Sequence, residues 1–207
     1  MKRLAATMVL MTIALLVGAA RPACALESAP VSSKRAVATF VSETDAVQPG
    51  GTLRVGLRLR MAPGWHTYWK NPGDAGVPPE LTIAGGQSPI DWPAPRRIAE
   101  GSVMTYGYTG EVLLPVTVTA AAGTLKAHAE WLVCKDICVP EDGDFSLTLA
   151  AGTAGPSPQA GLFAEHDRAV PRASPWTARI APDGVLFVQA PELSTATVAD
   201  AWFIPDQ

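Results

Sequence analysis

Two cysteines lie four positions apart, at Cys134 and Cys138, within the segment WLVCKDICVPE. A fully extended strand would hold their Cα atoms about 13 Å apart, because each residue advances the chain by roughly 3.3 Å. A disulfide needs a Cα separation of about 5.5 Å. A bond between the two therefore requires a turn at residues 135–137, and a three-residue hairpin loop supplies it. The strand-like runs on both sides predict such a hairpin.

A disulfide at a hairpin tip supports two interpretations. Exposed disulfides tend to be the labile ones that exchange with a partner thiolate, whereas the same bond could simply staple a secreted domain. Lys135 favours a thiolate at Cys134 and Asp136 opposes ionisation of either sulfur. The sequence therefore leaves open which cysteine reacts first. His128 has the same strand parity as Cys134 and is a further candidate participant.

Other chemistry is less strongly indicated. Soft ligands for Cu(I) could come from the two cysteines together with His66 and either Met61 or Met104, but these are scattered along the sequence. No nucleotide-binding loop, Ser/His/Asp arrangement or carboxylate pair stands out. We assign no cofactor and no resident metal. The staple interpretation corresponds to a non-catalytic, immunoglobulin-like interaction domain, whose structural disulfide would have a reduction potential below about −300 mV.

An aromatic group lies in the Pro- and Gly-rich stretch of residues 62–80, which is expected to be mostly loop. Trp65, Tyr68 and Trp69 either cap one end of the fold or form a docking surface, because Trp and Tyr are favoured interface anchors.

The elements that must position these residues are short strands. Apolar residues alternate with Arg and Gly over residues 53–61, which predicts a strand with one buried and one basic, solvated face. Further strands are predicted at residues 39–47, 81–83, 90–92, 112–119, 124–133 and 145–149. Pro115 hints at an edge strand or a bulge. Short strands joined by Gly/Pro turns predict an all-β, immunoglobulin-like sandwich over residues 36–151.

The two ends of the chain differ from this domain. Residues 1–25 have the charged start, apolar run and small-residue site of a signal peptide, although a membrane anchor is an alternative. Removing them takes away three bases and no acid, leaving 13 Lys and Arg against 19 Asp and Glu, a net charge of −6. Residues 152–175 are expected to be a linker with a short helical turn. Residues 176–207 are expected to begin an incomplete second β-domain, with a hairpin around residues 182–184.

Composition excludes several classes of protein. The full chain has 207 residues and a net charge of −3, so it lacks the basic excess typical of nucleic-acid binding. Hydrophobic residues make up 48%, too many for a disordered chain. Three cysteines are too few for a disulfide scaffold.

Several motifs together resemble the N-terminal periplasmic domain of the DsbD family of thiol:disulfide interchange proteins, over residues 36–151. They are the stretches at residues 106–108, 114–116, 131–141 and 145–147. The run GWHTYWKNPG at residues 64–73 is similar to the branch related to ScsB, the suppressor-of-copper-sensitivity protein, which links this branch to copper tolerance. Residues 202–205 look like the opening of the second β-domain of that branch.

The resemblance implies a periplasmic protein-disulfide reductase component, with Cys134 and Cys138 as its redox pair. A membrane-embedded thiol-disulfide transporter domain would donate electrons. Oxidised periplasmic thioredoxin-fold proteins would accept them, including those of cytochrome c biogenesis. Family members also shield the pair with a cap loop, which here matches residues 99–104 and lacks an aromatic tip. The candidate shielding residues are Glu100, Val103, Met104 and Tyr106.

Overall fold

The computed structural model describes residues 26–190 and 202–205. The predicted signal peptide therefore lies outside the described residues, as do residues 191–201 and 206–207 of the predicted second β-domain. Within the described ranges, no helix has the length and apolar character needed to cross a membrane.

The described chain is built mainly of strands. In chain order the elements are β1 (Val31–Ser32), β2 (Ala36–Ser42), β3 (Ala46–Val47), β4 (Gly51–Met61), β5 (His66–Gly73), β6 (Glu80–Ile83), β7 (Arg96–Glu100), β8 (Val103–Thr109), β9 (Glu111–Ala120), β10 (Gly123–Cys134), β11 (Cys138–Ala151), α1 (Ala160–Ala169), β12 (Thr177–Ile180) and β13 (Leu186–Gln189). One sheet has the order β1-β2-β4-β9. The other has the order β3-β11-β10-β5-β8-β7, with β6 also pairing with β10.

The core lies between these two sheets, as the alternating pattern of β4 predicts. Leu57 pairs with Phe40 of β2 on one side and with Leu114 of β9 on the other, and all three are 0% exposed. The second sheet contributes Trp131 and Phe145, whose ring centroids lie 6.5 Å apart. The all-β, immunoglobulin-like sandwich predicted from the sequence is confirmed.

Strand β9 forms the edge of the first sheet, which fits Pro115 because an edge position needs no ladder donor from its ring nitrogen. The strand predicted at residues 90–92 is wrong. This segment carries only a single backbone bond to the edge, from Asp91 N to Pro115 O at 2.9 Å. Prolines at positions 89, 93 and 95 remove the donors that a ladder would need.

Two stretches outside the predicted strands also form strands. Residues 66–73 form β5, whose register shifts between Tyr68 and Gly73. Residues 96–109 form the β7–β8 hairpin around the turn at Gly101 and Ser102. Pro and Gly are loop signals in a sequence, yet here they lie at the register shift of β5 and at the turn of the β7–β8 hairpin. The strand content of both segments is therefore hidden from a composition-based prediction.

Helix α1 packs on the outer face of the first sheet and lies within the segment predicted as a linker. Phe163 is 0% exposed and clusters with Val41 and Leu113. Asp167 pairs with Arg54 of β4, Oδ1 to Nη2 at 2.6 Å. The basic face predicted for β4 is therefore partly covered by this helix.

The C-terminal part contains the hairpin predicted around residues 182–184, formed by β12 and β13. Every residue of these two strands is exposed. Residues 202–205 touch the sandwich: Asn71 Nδ2 donates to Pro205 O at 2.9 Å, and Ile204 packs against the core. That residues 176–207 begin a second β-domain stays a prediction.

Candidate functional site

The two cysteines form a disulfide across the tip of the β10–β11 hairpin. Cys134 and Cys138 are directly paired, with an S–S distance of 2.09 Å and a Cα separation of 4.1 Å. The backbone amide of Lys135 donates to Ile137 O at 3.1 Å and closes the three-residue loop. This is the turn that the Cys-x3-Cys spacing requires.

The two sulfurs belong to residues of very different accessibility. Cys134 is 1% exposed because its strand has β11 on one side and β5 on the other. Cys138 is exposed, and its neighbour Ile137 is 65% exposed. A partner protein can therefore approach the bond from the side of Cys138, next to an exposed apolar side chain.

A row of side chains continues from the disulfide across the second sheet. Cys134 lies opposite His66 of β5, so their side chains are cross-strand neighbours on one face. Tyr68 follows two residues later on that same face. Its ring meets His66 edge-on, with centroids 5.1 Å apart, and its hydroxyl lies 3.6 Å from Cys138 Sγ. Val133 packs in the core, so this row lies on the outer face of the sheet.

Tyr68 is covered by the loop after β5. Gly76 has a φ of +105°, and a Cβ at this position would collide with the Tyr68 ring, so only glycine lets the loop lie this close. Burial raises the pKa of Tyr68, and Glu100 adds to the effect. The phenol is therefore protonated at neutral pH and can donate a hydrogen bond to the Cys138 sulfur.

The cap loop is the turn of the β7–β8 hairpin. Strand alternation places Glu100 and its partner Val103 on the face that carries the cysteines. Met104 and Tyr106 face the other way, and Tyr106 packs against the core. Of the four candidate shielding residues, two lie on the side of the disulfide and two do not. Glu100 Oε1 lies 3.9 Å from His66 Nε2.

The three candidate docking residues are separated by the fold. Trp69 belongs to the core at 5% exposure, and Tyr68 is 1% exposed beneath its loop. Trp65 is half-buried, with the Arg35 guanidinium 5.9 Å from its ring centroid. Tyr68 and Trp69 are therefore not exposed anchors, which corrects the hypothesis that all three form one docking surface.

Sequence reasoning gave His66 no role in redox chemistry and considered it only as a soft metal ligand. It is 3% exposed, and its Nε2 has no hydrogen-bond partner among the described residues. Burial lowers the pKa of His66, while Glu100 raises it to a smaller extent. The spacing of two between His66 and Tyr68 is the sequence signal that could have placed both on one face of a strand.

The proposed copper ligands are not gathered at one point. Met61 is buried in the sandwich core, and Met104 lies on the face of β8 away from the cysteines. His128, a candidate participant in the cysteine chemistry rather than a copper ligand, is hydrogen-bonded to Asp144 at the exposed surface, with Nδ1 and Oδ1 2.8 Å apart. The structure thus places His66, but neither methionine, beside the cysteine pair.

A separate acidic cluster lies where α1 meets the loop before β7. Asp91, His166 and Asp167 could in principle surround a cation. His166 Nε2 is instead 3.1 Å from Asp91 Oδ2, and the Arg54 guanidinium makes two hydrogen bonds to Asp167. A cation there would compete with an arginine, so the cluster serves to seat the helix.

Comparisons with known proteins identify the family of this chain. Residues 37–150, more than half of the chain, match the family model "Thiol:disulfide interchange protein DsbD, N-terminal". No curated protein sequence matches.

Two solved structures are similar. The N-terminal periplasmic domain of ScsB from Proteus mirabilis has a TM-score of 0.61 at 24% identity, covering 72% of this chain and 61% of that chain. This chain thus spans about three fifths of that structure. The Neisseria meningitidis DsbD n-terminal domain in the reduced form has a TM-score of 0.38 at 18% identity, covering 57% of this chain and 90% of that chain. The family match over the sandwich and its cysteine hairpin shows that the chain belongs to the DsbD N-terminal domain family.

Proposed function

We propose that the chain is a periplasmic thiol–disulfide exchange module that passes electrons through Cys134 and Cys138. A membrane-embedded thiol-disulfide transporter domain reduces the pair. Oxidised periplasmic proteins of the thioredoxin fold then receive the electrons. Support comes from the family match, whose description names thiol:disulfide interchange, and from the disulfide itself.

The observation that carries this proposal is the unequal accessibility of the pair. A disulfide that only stabilises the hairpin does not require either of its cysteines to be exposed. Exchange, in contrast, needs one sulfur that a partner can reach and a second that is kept from other thiols. Cys138 is exposed and Cys134 is 1% exposed, which matches this division.

The exchange proceeds in two balanced steps. The Cys138 thiolate attacks one sulfur of the acceptor's disulfide, forms a mixed disulfide and releases the acceptor's other sulfur as a thiolate. Cys134 then loses its proton and attacks Cys138 Sγ. This step restores the Cys134–Cys138 bond and releases the second acceptor sulfur. Two electrons have moved to the acceptor, and the donor domain returns the pair to its dithiol form by the same two steps in reverse.

The surroundings of Cys138 suit a protein partner. Ile137 offers an apolar contact beside Cys138. The Tyr68 hydroxyl, 3.6 Å from Cys138 Sγ, can stabilise the sulfur when it carries negative charge. Glu100 and Val103 border the same face from the cap hairpin.

The test uses single serine variants of the pair in a chain that also carries Cys24→Ala, so that no third thiol can react. Cys134→Ser should accumulate a mixed disulfide with an oxidised thioredoxin-fold protein, because Cys138 can attack and nothing resolves the product. Cys138→Ser should accumulate none, because the remaining thiol is buried. Both variants should lose turnover. Full turnover in either variant would refute the proposal.

A further inference from the structure

We propose that His66 is the general base that removes the proton from Cys134 in the step that resolves the mixed disulfide. This inference rests on the proposed exchange function. It assigns a role to a residue that the two-cysteine chemistry alone does not use.

The need for a base follows from the burial of Cys134. The nucleophile in disulfide exchange is the thiolate, and a thiol in apolar surroundings resists ionisation. Cys134 is 1% exposed, so bulk water has little access to its proton. Cys138 is exposed and can release its proton to solvent directly. Only the second of the two exchange steps therefore requires a proton acceptor inside the protein.

His66 lies next to Cys134 across the two paired strands. It is the residue paired with Cys134 across β5 and β10, and directly opposed side chains in an antiparallel pair have Cβ atoms about 5 Å apart. Its Nε2 is buried without a hydrogen-bond partner among the described residues, which is costly unless the atom has a use. Because burial lowers the pKa of His66, the imidazole is neutral and able to accept a proton at neutral pH.

The groups around His66 provide an exit for the proton. Glu100 of β7 lies 3.9 Å from Nε2 and is half-buried, so it connects the imidazole with solvent. Tyr68 of β5 contacts the ring edge-on, and burial raises its pKa, so it does not compete as a base. Thr109 of β8 is uncharged. Lys135 of the hairpin loop approaches Gly64, and its positive charge favours the Cys134 thiolate once it forms.

The proton balance of the step is complete. Cys134 Sγ gives its proton to the His66 imidazole and its electron pair to Cys138 Sγ. The bond between Cys138 and the acceptor's sulfur breaks, and that sulfur leaves as a thiolate. The imidazolium then passes its proton, through Glu100, to solvent or to the departing thiolate. No further oxidant or reductant is required.

Stopped-flow kinetics with a dithiobis-nitrobenzoate probe separate the two steps, because each releases one coloured thiolate. The experiment uses the reduced full chain carrying Cys24→Ala, so that only the pair can react. In His66→Gln we expect the first phase, the attack by Cys138, to keep its rate. The second phase, the attack by Cys134, should slow by about 100-fold at neutral pH, the lower end of a general base's contribution. His128→Gln, an exposed histidine on β10, is the matched control and should leave both phases unchanged.

The pH dependence distinguishes a base from a structural residue. The slow second phase of His66→Gln should recover toward the parent rate at alkaline pH, where hydroxide ionises Cys134. In the parent protein the second phase should lose rate as the pH falls through a value below 6.5, the ordinary pKa of histidine. This parent profile can be measured even if the variant does not fold. A second phase that keeps its rate in His66→Gln, or a parent profile without that inflection, would overturn the inference. Absence of the first phase would instead refute the exchange function.

Discussion

Substitution of Tyr68 tests how the fold stabilises a thiolate at Cys138. Its hydroxyl lies 3.6 Å from Cys138 Sγ, and its raised pKa keeps it a donor. A hydrogen bond to a charged acceptor contributes about 1.5–3 kcal/mol. Since the contact to sulfur is long, we take the lower figure for the loss in Tyr68→Phe. A change of about 1.4 kcal/mol is a factor of ten, so the thiolate fraction of Cys138 should fall about tenfold.

Alkylation by iodoacetamide at neutral pH measures this fraction. The assay uses Cys24→Ala/Cys134→Ser, in which Cys138 is the remaining one of three cysteines. Adding Tyr68→Phe should slow alkylation about tenfold, and the difference should vanish at alkaline pH. Tyr108→Phe is the matched control, because it removes a buried hydroxyl that donates to Pro93 O at 2.8 Å. An alkylation rate in Tyr68→Phe equal to that of the control would refute the reasoning.

Four further predictions concern the surroundings of the site and the stability of the fold. Gly76→Ala should lower the free energy of unfolding by about 1–3 kcal/mol in urea titration, because φ is +105° and the Tyr68 ring fills the space. Phe163→Ala should cost about 3–5 kcal/mol in the same titration and release helix α1 to proteolysis. Ile137→Asp should weaken mixed-disulfide formation with a protein partner while leaving alkylation by a small reagent unchanged, because Ile137 is 65% exposed beside Cys138. Burial lowers the pKa of His66. Its contribution to the free energy of unfolding is therefore fully present when the pH is above 6.5, its ordinary pKa, and is lost as the pH falls through the lower pKa of the folded state. The melting temperature of the parent protein should accordingly fall more on acidification than that of His66→Gln, and equal slopes would contradict the assignment.

Local sequence patterns predicted several strands of the sandwich and the cysteine hairpin. The alternation over residues 53–61 located β4 and its buried face, because a period of two allows only one such arrangement. The Cys-x3-Cys spacing predicted the hairpin turn because an extended chain cannot bring the sulfurs together. Both features depend only on residues close together in the sequence, so they can be predicted from the sequence alone.

The composition of the site depended on pairings between distant residues. His66 and Cys134 are separated by more than sixty positions and meet only because β5 pairs with the end of β10. Tyr68 and Trp69 are neighbours in one aromatic group of the sequence, although consecutive residues on a strand face opposite ways. The Gly76 loop that buries Tyr68 was likewise hidden within a stretch dominated by turn residues. The pairing and register of strands that are distant in the sequence could not be predicted from the sequence alone.

The reduction potential of the Cys134–Cys138 pair tests the central claim most directly. It can be measured by equilibrating the full chain carrying Cys24→Ala with glutathione or dithiothreitol buffers and counting free thiols. A pair that relays electrons should have a potential above about −300 mV, where exchange partners can both reduce it and oxidise it. A potential below about −300 mV would identify a structural bond and contradict the account.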